Sequence, residues 1–276
     1  MNPHISVIIP THNRPVALGE LLEMLVRQSF TDFEVIIVND CGEPVDHVVS
    51  LYPELRIKLL NNARNVKHVK ARNSALQEAK GEWIMLCDDD DLILPGHMER
   101  MVHESADADL LYSDVEIVAF RMAEDKRVRL PQSRRLFAYE LDLPQMRRFS
   151  TFVSSGCLYR RSIHDEIGYF DVEMYHYWDW DFFLRVAESY RVKRVPVAGA
   201  LYAFSMNGDN MSGEPSDMRD HLDRLCEKHH LGELPTKNFF LLLEEPEVMS
   251  REAASEIVWD GEPIYSRLAA KINDKK

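Results

Sequence analysis

The sequence lacks the usual signals of a membrane-spanning or disulfide-stabilised protein. No apolar stretch approaches the roughly 20 residues that cross a bilayer, and residues 1–4 have neither the charge nor the apolar run of a signal peptide. We therefore expect a cytoplasmic protein. The only four cysteines are far apart and include no C-x-x-C pair, which predicts reduced, packed thiols rather than a zinc or disulfide framework.

Basic charge is also scarce. The 276 residues contain 33 Lys and Arg against 46 Asp and Glu, a net charge of −13 that opposes non-specific binding of nucleic acid. We expect no nucleic-acid partner. Residues 121–148 are the exception, because they carry an excess of arginine and lysine. A solvated surface is the ordinary explanation of such a run, and contact with an anionic acceptor, a partner or the inner face of the membrane is the alternative.

The first half of the chain alternates between two hydrophobic periods. Short apolar runs at residues 5–9, 35–38, 56–60 and 83–87 predict strands, and helical spacing separates them at residues 18–25 and 69–79. Strands that alternate with helices predict an α/β fold with a Rossmann-like, mostly parallel sheet flanked by helices.

The second half is less regular. Residues 109–113 predict a strand, residues 120–150 a long charged excursion, and helices begin at Trp178 and near residue 217. We predict a main domain over residues 1–215 and a C-terminal helical appendage over residues 216–276 that packs on it. The oligomeric state is left open.

Each predicted strand of the first half is followed by polar residues. Because ligands bind beyond the carboxyl ends of parallel strands, these positions together favour a site, although any single polar loop would be unremarkable. The four consecutive aspartates at 88–91 are the most informative. Adjacent carboxylates repel one another and raise each other's pKa, so a fold that holds them together usually supplies a cation. We therefore predict a metal site.

Two further features of the sequence each have two explanations, one structural and one functional. Arg72 falls on the apolar side of its predicted helix, where a guanidinium needs a partner, and an internal salt bridge or a ligand contact would both supply one. Asp179 and Asp181 alternate with tryptophans at a helix start. Partial desolvation suits such carboxylates to base chemistry, and the helix dipole explains them equally well.

Six segments, in order, resemble the family 2 glycosyltransferases, which are inverting enzymes of the GT-A fold. The similarity covers roughly residues 4–212. The matching segments are Ser6 to Arg14, Glu34 to Asp40, Asn65 to Ala75, the aspartates Asp88 to Asp91, residues 155–171, and Asp179 with Asp181 followed by Phe183, Leu184 and Arg185.

The resemblance implies a role for each matching residue. The nucleotide-binding residues would be Pro10, Thr11, Asn13, Arg14, Asp40, Arg72, Asp88 and Asp89. Asp90 would bind Mn²⁺ or Mg²⁺, with Asp91, His176 and Asp209 as further candidate ligands. Asp179 would be the catalytic base, and Ser155, Gly156, Trp178 and Asp181 would lie on the acceptor side.

The implied activity is transfer of a sugar from a nucleotide-diphosphate sugar to an acceptor hydroxyl in polysaccharide or surface-glycan synthesis. A UDP-sugar is the first expectation for the donor and a dTDP-sugar the second, and the acceptor would be a glycan or a lipid-linked glycan. One departure is that residues 202–212 lack the histidine that many members carry. The first alternative is a sugar-nucleotide-binding protein without turnover. The second, which the sequence favours less, is a metal-dependent phosphoryl-transfer enzyme.

Overall fold

The computed structural model describes residues 2–204, 215–237 and 242–271. Its strands are β1 (Ile5–Thr11), β2 (Phe33–Asn39), β3 (Ile57–Asn61), β4 (Trp83–Leu86), β5 (Leu92–Ile93), β6 (Leu110–Met122), β7 (Arg129–Phe137), β8 (Leu158–Arg160), β9 (Val192–Phe204) and β10 (Glu256–Ile257). Its α-helices are α1 (Pro15–Val26), α2 (Asp46–Val49), α3 (His68–Glu78), α4 (His97–His103), α5 (Leu143–Met146), α6 (Ile163–Ile167), α7 (Trp178–Ser189), α8 (Pro215–His229), α9 (Pro246–Met249) and α10 (Arg267–Lys271).

The strands form one sheet in the order β10-β9-β6-β8-β4-β1-β2-β3, with β5 paired to β9 and β7 to β6. Strands β4, β1, β2 and β3 are parallel, as are β6, β9 and β10, while β8 runs antiparallel between the two groups. The predicted α/β fold with a mostly parallel sheet is confirmed. The short β8 was not predicted.

Strands β1, β2 and β4 lie inside the sheet with both faces covered, whereas β3 is an edge strand. All seven residues of β1 are buried. Successive side chains of a strand point to opposite faces. Val7 and Ile9 accordingly pack in one apolar cluster and Ile8 in another, on the far side of the sheet. β1 pairs in parallel with both β2 and β4, which places the carboxyl ends of the three strands side by side.

The basic segment 121–148 differs from the expected charged excursion. It forms most of a hairpin, in which β6 and β7 pair antiparallel. Many of its cations have partners within the chain, most of them at the surface: Arg129 with Glu20, Arg134 with Glu116, Arg135 with Glu252, Arg148 with Glu247, and Arg147 with the carbonyl of His229. The segment therefore offers far less free positive charge than its composition suggested, which weakens the case for membrane contact through it.

The segment after residue 215 is not purely helical. Helix α8 packs against α7, the two-residue strand β10 extends the sheet beside β9, and α10 lies against α1. The predicted helical appendage is corrected in this respect, because part of the segment joins the sheet. Among the described residues, no helix is long and apolar enough to cross a membrane.

A buried ion pair between Arg129 and Glu20 ties the β6–β7 hairpin to α1. Their side chains are 9% and 2% exposed, and Arg129 Nε lies 2.5 Å from the Glu20 carboxylate. Arg129→Met would leave an unpaired buried carboxylate, so we expect a loss of about 3–5 kcal/mol in the free energy of unfolding, measured in urea. The double variant Glu20→Leu/Arg129→Met should recover much of it.

The matched control is Arg56→Met, which removes one partner of the exposed Arg56–Asp32 pair. It should change the free energy of unfolding by less than about 1 kcal/mol. Equal losses in Arg129→Met and Arg56→Met would show that the buried pair does not anchor the hairpin.

Candidate active site

A cavity of about 460 Å³ opens at the carboxyl ends of β1, β2 and β4 and at the start of α7. It collects many of the residues that the sequence singled out. Those that line it are Pro10, Thr11, Arg14, Asp40, Arg72, Asp88, Asp89, Asp90, His176, Trp178 and Asp179. The edge of the parallel sheet therefore holds the site, as expected for this class of fold.

The carboxylates of Asp89 and Asp90 share one internal counter-ion, Arg14. Arg14 Nη1 lies 3.0 Å from Asp89 Oδ1 and 2.8 Å from Asp90 Oδ2. Thr11 Oγ1 donates to Asp89 Oδ2 at 2.7 Å. Burial and the neighbouring Asp89 raise the pKa of Asp90 to about 6, although Arg14 acts in the opposite direction. The sequence led us to expect a metal ion that offsets the charge of these aspartates. Arg14 provides part of that positive charge from within the protein.

Arg72 makes an internal ion pair and also lines the cavity, so a ligand contact remains open beside the ion pair. Its guanidinium contacts the Asp88 carboxylate and lies 4.0 Å from the centre of the Trp178 ring. His68 accepts a hydrogen bond from Arg72 Nη1 at Nδ1 (2.5 Å), and its Nε2 donates to the carbonyl of Tyr175 (2.9 Å). Burial and the charge of Arg72 lower the pKa of His68 to about 2, so the imidazole is neutral.

Asp40 lines the cavity and also holds the loop before α3. Its carboxylate accepts hydrogen bonds of 2.8 Å from Asn62 Nδ2, Val66 N and Lys67 N. Lys67 has a φ of 73°, in the left-handed region that side chains seldom adopt. The buried carboxylate stabilises this strained turn, and the predicted base contact of Asp40 would have to use its remaining lone pairs.

Asn13 lies beside the cavity rather than in its wall. It has a φ of 58°, its Oδ1 accepts a 2.8 Å hydrogen bond from Glu43 N, and it lines a neighbouring cavity with Arg14. Cys41 has a φ of 59° in the loop after β2. Left-handed residues therefore occur in the loops after β1, β2 and β3, which is the kind of local strain that concentrates at functional sites.

Asp179 and Asp181 are separated by the helix that carries them. Asp179 faces the cavity, and burial raises its pKa to about 6 despite the hydrogen bond it accepts from Trp180 N; Asp88 raises it further. Asp181 is fully buried and contacts His229 (2.8 Å), Lys228 (2.7 Å) and Arg185 (3.0 Å). Its predicted place on the acceptor side is corrected to a structural one between α7 and α8.

Three other predicted residues lie behind the cavity wall. Asp91 contacts Ser155 Oγ and accepts a 2.7 Å hydrogen bond from Ala203 N, while Ser155 Oγ also accepts one from Asp88 N at 3.1 Å. The carbonyl of Gly156 accepts a 2.8 Å hydrogen bond from His97 Nε2. These three residues are buried and do not line the cavity, and Ser155 contacts the aspartate run directly. Asp209 lies outside the described residues.

Sequence reasoning did not single out several residues that line the cavity: His12, Asn65, Lys67, His68, Val153, Ser154, Tyr175, Tyr202, Ala203 and Met218. His68 had a detectable signal, since it precedes Arg72 by four residues and so shares its helix face. Val153, Ala203 and Met218 gave none, because an apolar side chain in a wall has no distinctive sequence pattern.

The donor set fits a hard divalent ion only in part. Asp90 offers carboxylate oxygen in the cavity, as Mg²⁺ and Mn²⁺ prefer. Across the described parts of the chain, however, no group of three His, Cys, Asp or Glu side chains could hold a metal. The residues therefore suit an ion that takes most of its ligands from a bound diphosphate and water.

The profile of the family described as "Glycosyl transferase family 2" matches residues 6–168. The chain belongs to this family. It is 58% identical over 265 residues to the "Uncharacterized glycosyltransferase YwdF" of Bacillus subtilis, and the match covers 96% of this chain and 98% of the relative. The resemblance inferred from the sequence is confirmed, and with it the glycosyltransferase class.

A second relative in this family is the poly(ribitol-phosphate) beta-N-acetylglucosaminyltransferase TarS of Staphylococcus aureus, 30% identical over 217 residues, which are 75% of this chain and 36% of TarS. The crystal structure of TarS 1–349 with UDP-GlcNAc superimposes with a TM-score of 0.62 at 24% identity, covering 83% of this chain and 66% of that one. The structure of a Pyrobaculum calidifontis mannosyltransferase with GDP-Man and Mn²⁺ superimposes with a TM-score of 0.58 at 16% sequence identity. The match covers 85% of this chain and 66% of the mannosyltransferase chain. The predicted GT-A fold is confirmed.

The two aspartates of α7 should respond oppositely to substitution. The raised pKa of Asp179 means that its ionised form is unfavourable in the folded protein above about pH 6. Asp179→Asn should therefore raise the Tm at pH 8 by roughly 2–5 °C, about 1–2 kcal/mol. That gain should shrink as the pH falls from 6 towards 4, where the carboxyl of the folded protein is already protonated.

Asp181→Asn should lower the Tm at pH 8, because the partners of Asp181 depress its pKa despite its burial and stabilise its charge. Asp165→Asn, at an exposed position of α6, is the control and should leave the Tm unchanged. Thermal unfolding at pH 5 and pH 8 measures all three. Shifts of the same sign in the two α7 variants would contradict the structural division between them.

Proposed function

We propose that this protein is an inverting glycosyltransferase that moves a sugar from a UDP-sugar to an acceptor hydroxyl. The observation that carries the proposal is the convergence of Asp40, Asp88 to Asp90 and Asp179 on one cavity. Asp40 would contact the nucleotide base, Asp89 the ribose, with Asp88 as the alternative, and Asp179 would face the acceptor. The UDP-GlcNAc complex of the related fold supports UDP as the nucleotide.

Asp179 suits the role of general base. Its carboxyl lies in the cavity, and its raised pKa of about 6 leaves it ionised near neutral pH but more basic than an ordinary aspartate. The acceptor oxygen would form a bond to the anomeric carbon as that carbon's bond to the diphosphate oxygen breaks. The hydroxyl proton passes to Asp179, and the bonding pair leaves with UDP. Attack opposite the leaving group inverts the anomeric carbon.

Cationic side chains already border the place proposed for the diphosphate. Arg14 and Arg72 line the cavity, and Lys67 lies at its edge, at the start of α3. They would bind and orient the phosphates, and Arg14 and Arg72 would exchange their present carboxylate partners for phosphate oxygens. We propose Asp90 as the protein ligand of Mn²⁺ or Mg²⁺, which when bound would offset charge on the departing diphosphate. The Mn²⁺ complex of the mannosyltransferase supports this choice of ion.

N-acetylglucosamine is the first sugar to test, because the relative TarS is named as an N-acetylglucosaminyltransferase that acts on poly(ribitol-phosphate). The proposed role is in polysaccharide or surface-glycan synthesis. A protein that binds UDP-sugars without turnover is the alternative. Release of UDP from UDP-GlcNAc in the presence of an acceptor distinguishes the two.

A calorimetric panel of UDP, dTDP, GDP and CDP, with and without Mn²⁺, tests the donor site. We expect UDP to bind most tightly, dTDP next, and Mn²⁺ to tighten UDP binding at least tenfold. Asp90→Asn should remove the effect of Mn²⁺ while metal-free binding persists. Affinities that are equal for the four nucleotides and indifferent to Mn²⁺ would contradict the proposed site.

Substitution of Asp179 tests the base. Asp179→Asn should lower kcat by at least about a thousandfold, because the amide cannot accept the hydroxyl proton, yet leave the Kd for UDP within about twofold. In the wild type, kcat/KM should rise with pH through about 6, since the base must be ionised. Asp165→Asn is the control. Near-normal turnover by Asp179→Asn would place the base elsewhere.

A further inference from the structure

A second cavity of about 460 Å³ adjoins the proposed donor cavity and has a different chemistry. Helices α7 and α8, residues around 145–152, and residues 233–237 and 242–251 line it. Its walls are largely aromatic and aliphatic, formed among others by Phe149, Phe152, Trp180, Leu222, Leu234 and Val248. Most of these elements lie outside residues 6–168, the part that the family profile matches.

The two cavities meet at the proposed base. Asp179 lines both, together with His176, Tyr202 and Met218. A molecule in the second cavity would therefore place its nearest atoms beside the Asp179 carboxylate, on the side away from Asp40, which lines only the first cavity. This continuity makes the second cavity the natural place for the acceptor.

Several polar groups of the second cavity have partners within the protein, although among the described residues Arg251 Nε is buried without a hydrogen-bond partner. Arg148 pairs with Glu247 and Lys237 with Glu245. The indole nitrogen of Trp180 donates to the carbonyl of Met146 at 2.7 Å. A polar group that already has a hydrogen-bond partner contributes little binding free energy to a ligand. Aromatic and aliphatic side chains contribute binding free energy when a ligand removes their surface from water. The wall thus favours an apolar group over a chain of phosphates or hydroxyls.

We propose that the second cavity binds an apolar group, alkyl or aryl, that the acceptor carries next to the hydroxyl receiving the sugar. The acceptor is then amphipathic, as a lipid-linked glycan or an aryl glycoside is, and not a uniformly polar polymer. This inference rests on the proposed function, because it takes Asp179 as the group that faces the acceptor hydroxyl. It adds the chemical class of the acceptor.

Binding of simple glycosides tests this without requiring turnover. Calorimetry with methyl, hexyl and phenyl β-D-glucopyranosides, in the presence of UDP and Mn²⁺, compares the same sugar with and without an apolar group. We expect the hexyl or the phenyl glycoside to bind at least tenfold more tightly than the methyl glycoside, since each buried methylene contributes roughly fourfold. The hexyl and phenyl arms distinguish a chain from a ring.

Leu234→Gln and Leu231→Gln form a matched pair. Both leucines are partly buried against the same apolar cluster, but only Leu234 lines the cavity. Leu234→Gln should abolish most of the preference for the apolar glycoside, whereas Leu231→Gln should preserve it and both should keep the wild-type Kd for UDP. Apolar glycosides that bind no tighter than methyl glucoside, or equal losses in the two variants, would overturn the inference.

The same measurements separate this inference from the proposed function. Failure of UDP to bind would count against the donor site, whatever the glycosides do. Normal UDP binding and UDP release with a polar glycan acceptor, together with no preference for hexyl or phenyl glucoside, would leave the glycosyltransferase intact and remove the amphipathic acceptor.

Discussion

Four carboxylates at the end of one buried strand are the constraint on which the site depends. Like charges on neighbouring residues, held close to a low-dielectric core, repel strongly, and the structure offsets them with cations from separate parts of the chain. Arg14 comes from the loop after β1, Arg72 from α3, and Arg129 from β7, where its Nη1 donates to the carbonyl of Asp90 at 2.6 Å. The same contacts that neutralise the aspartates also join these elements to β4.

This arrangement makes the cavity both charged and preorganised. Arg72 is held between Asp88, the ring of Trp178 and a neutral His68, so its guanidinium is oriented before any ligand arrives. Asp40 fixes the turn that begins α3. Under the proposed function, a diphosphate would have to displace the carboxylates from these guanidiniums, and their fixed orientation would reduce the entropy lost on binding. The cost is local strain in the loops that end the parallel strands.

Helix geometry explains why Asp179 and Asp181 of α7 have different surroundings. Residues two apart on an α-helix point about 200° away from each other, so Asp179 and Asp181 cannot both face one cavity. Asp179 lines the cavity. Asp181 points into the protein and forms ion pairs with Arg185 and with two residues of α8. The inward aspartate anchors α8, and α8 supplies part of the wall of the second cavity. One aspartate is therefore suited to the chemistry and the other to building the surface beside it.

The sequence by itself determined the alternation of strands and helices, because hydrophobic period and residue type are local properties, and its six ordered motifs indicated the family by resemblance. A short apolar run rich in β-branched residues, such as that of β1, favours a buried strand. Only the tertiary structure decided which charges meet: that Arg14 bridges Asp89 and Asp90, that Arg129 reaches Glu20, and that the basic hairpin is largely neutralised. Those pairings join residues far apart in the chain, and their energies depend on burial and distance, which composition and spacing do not encode.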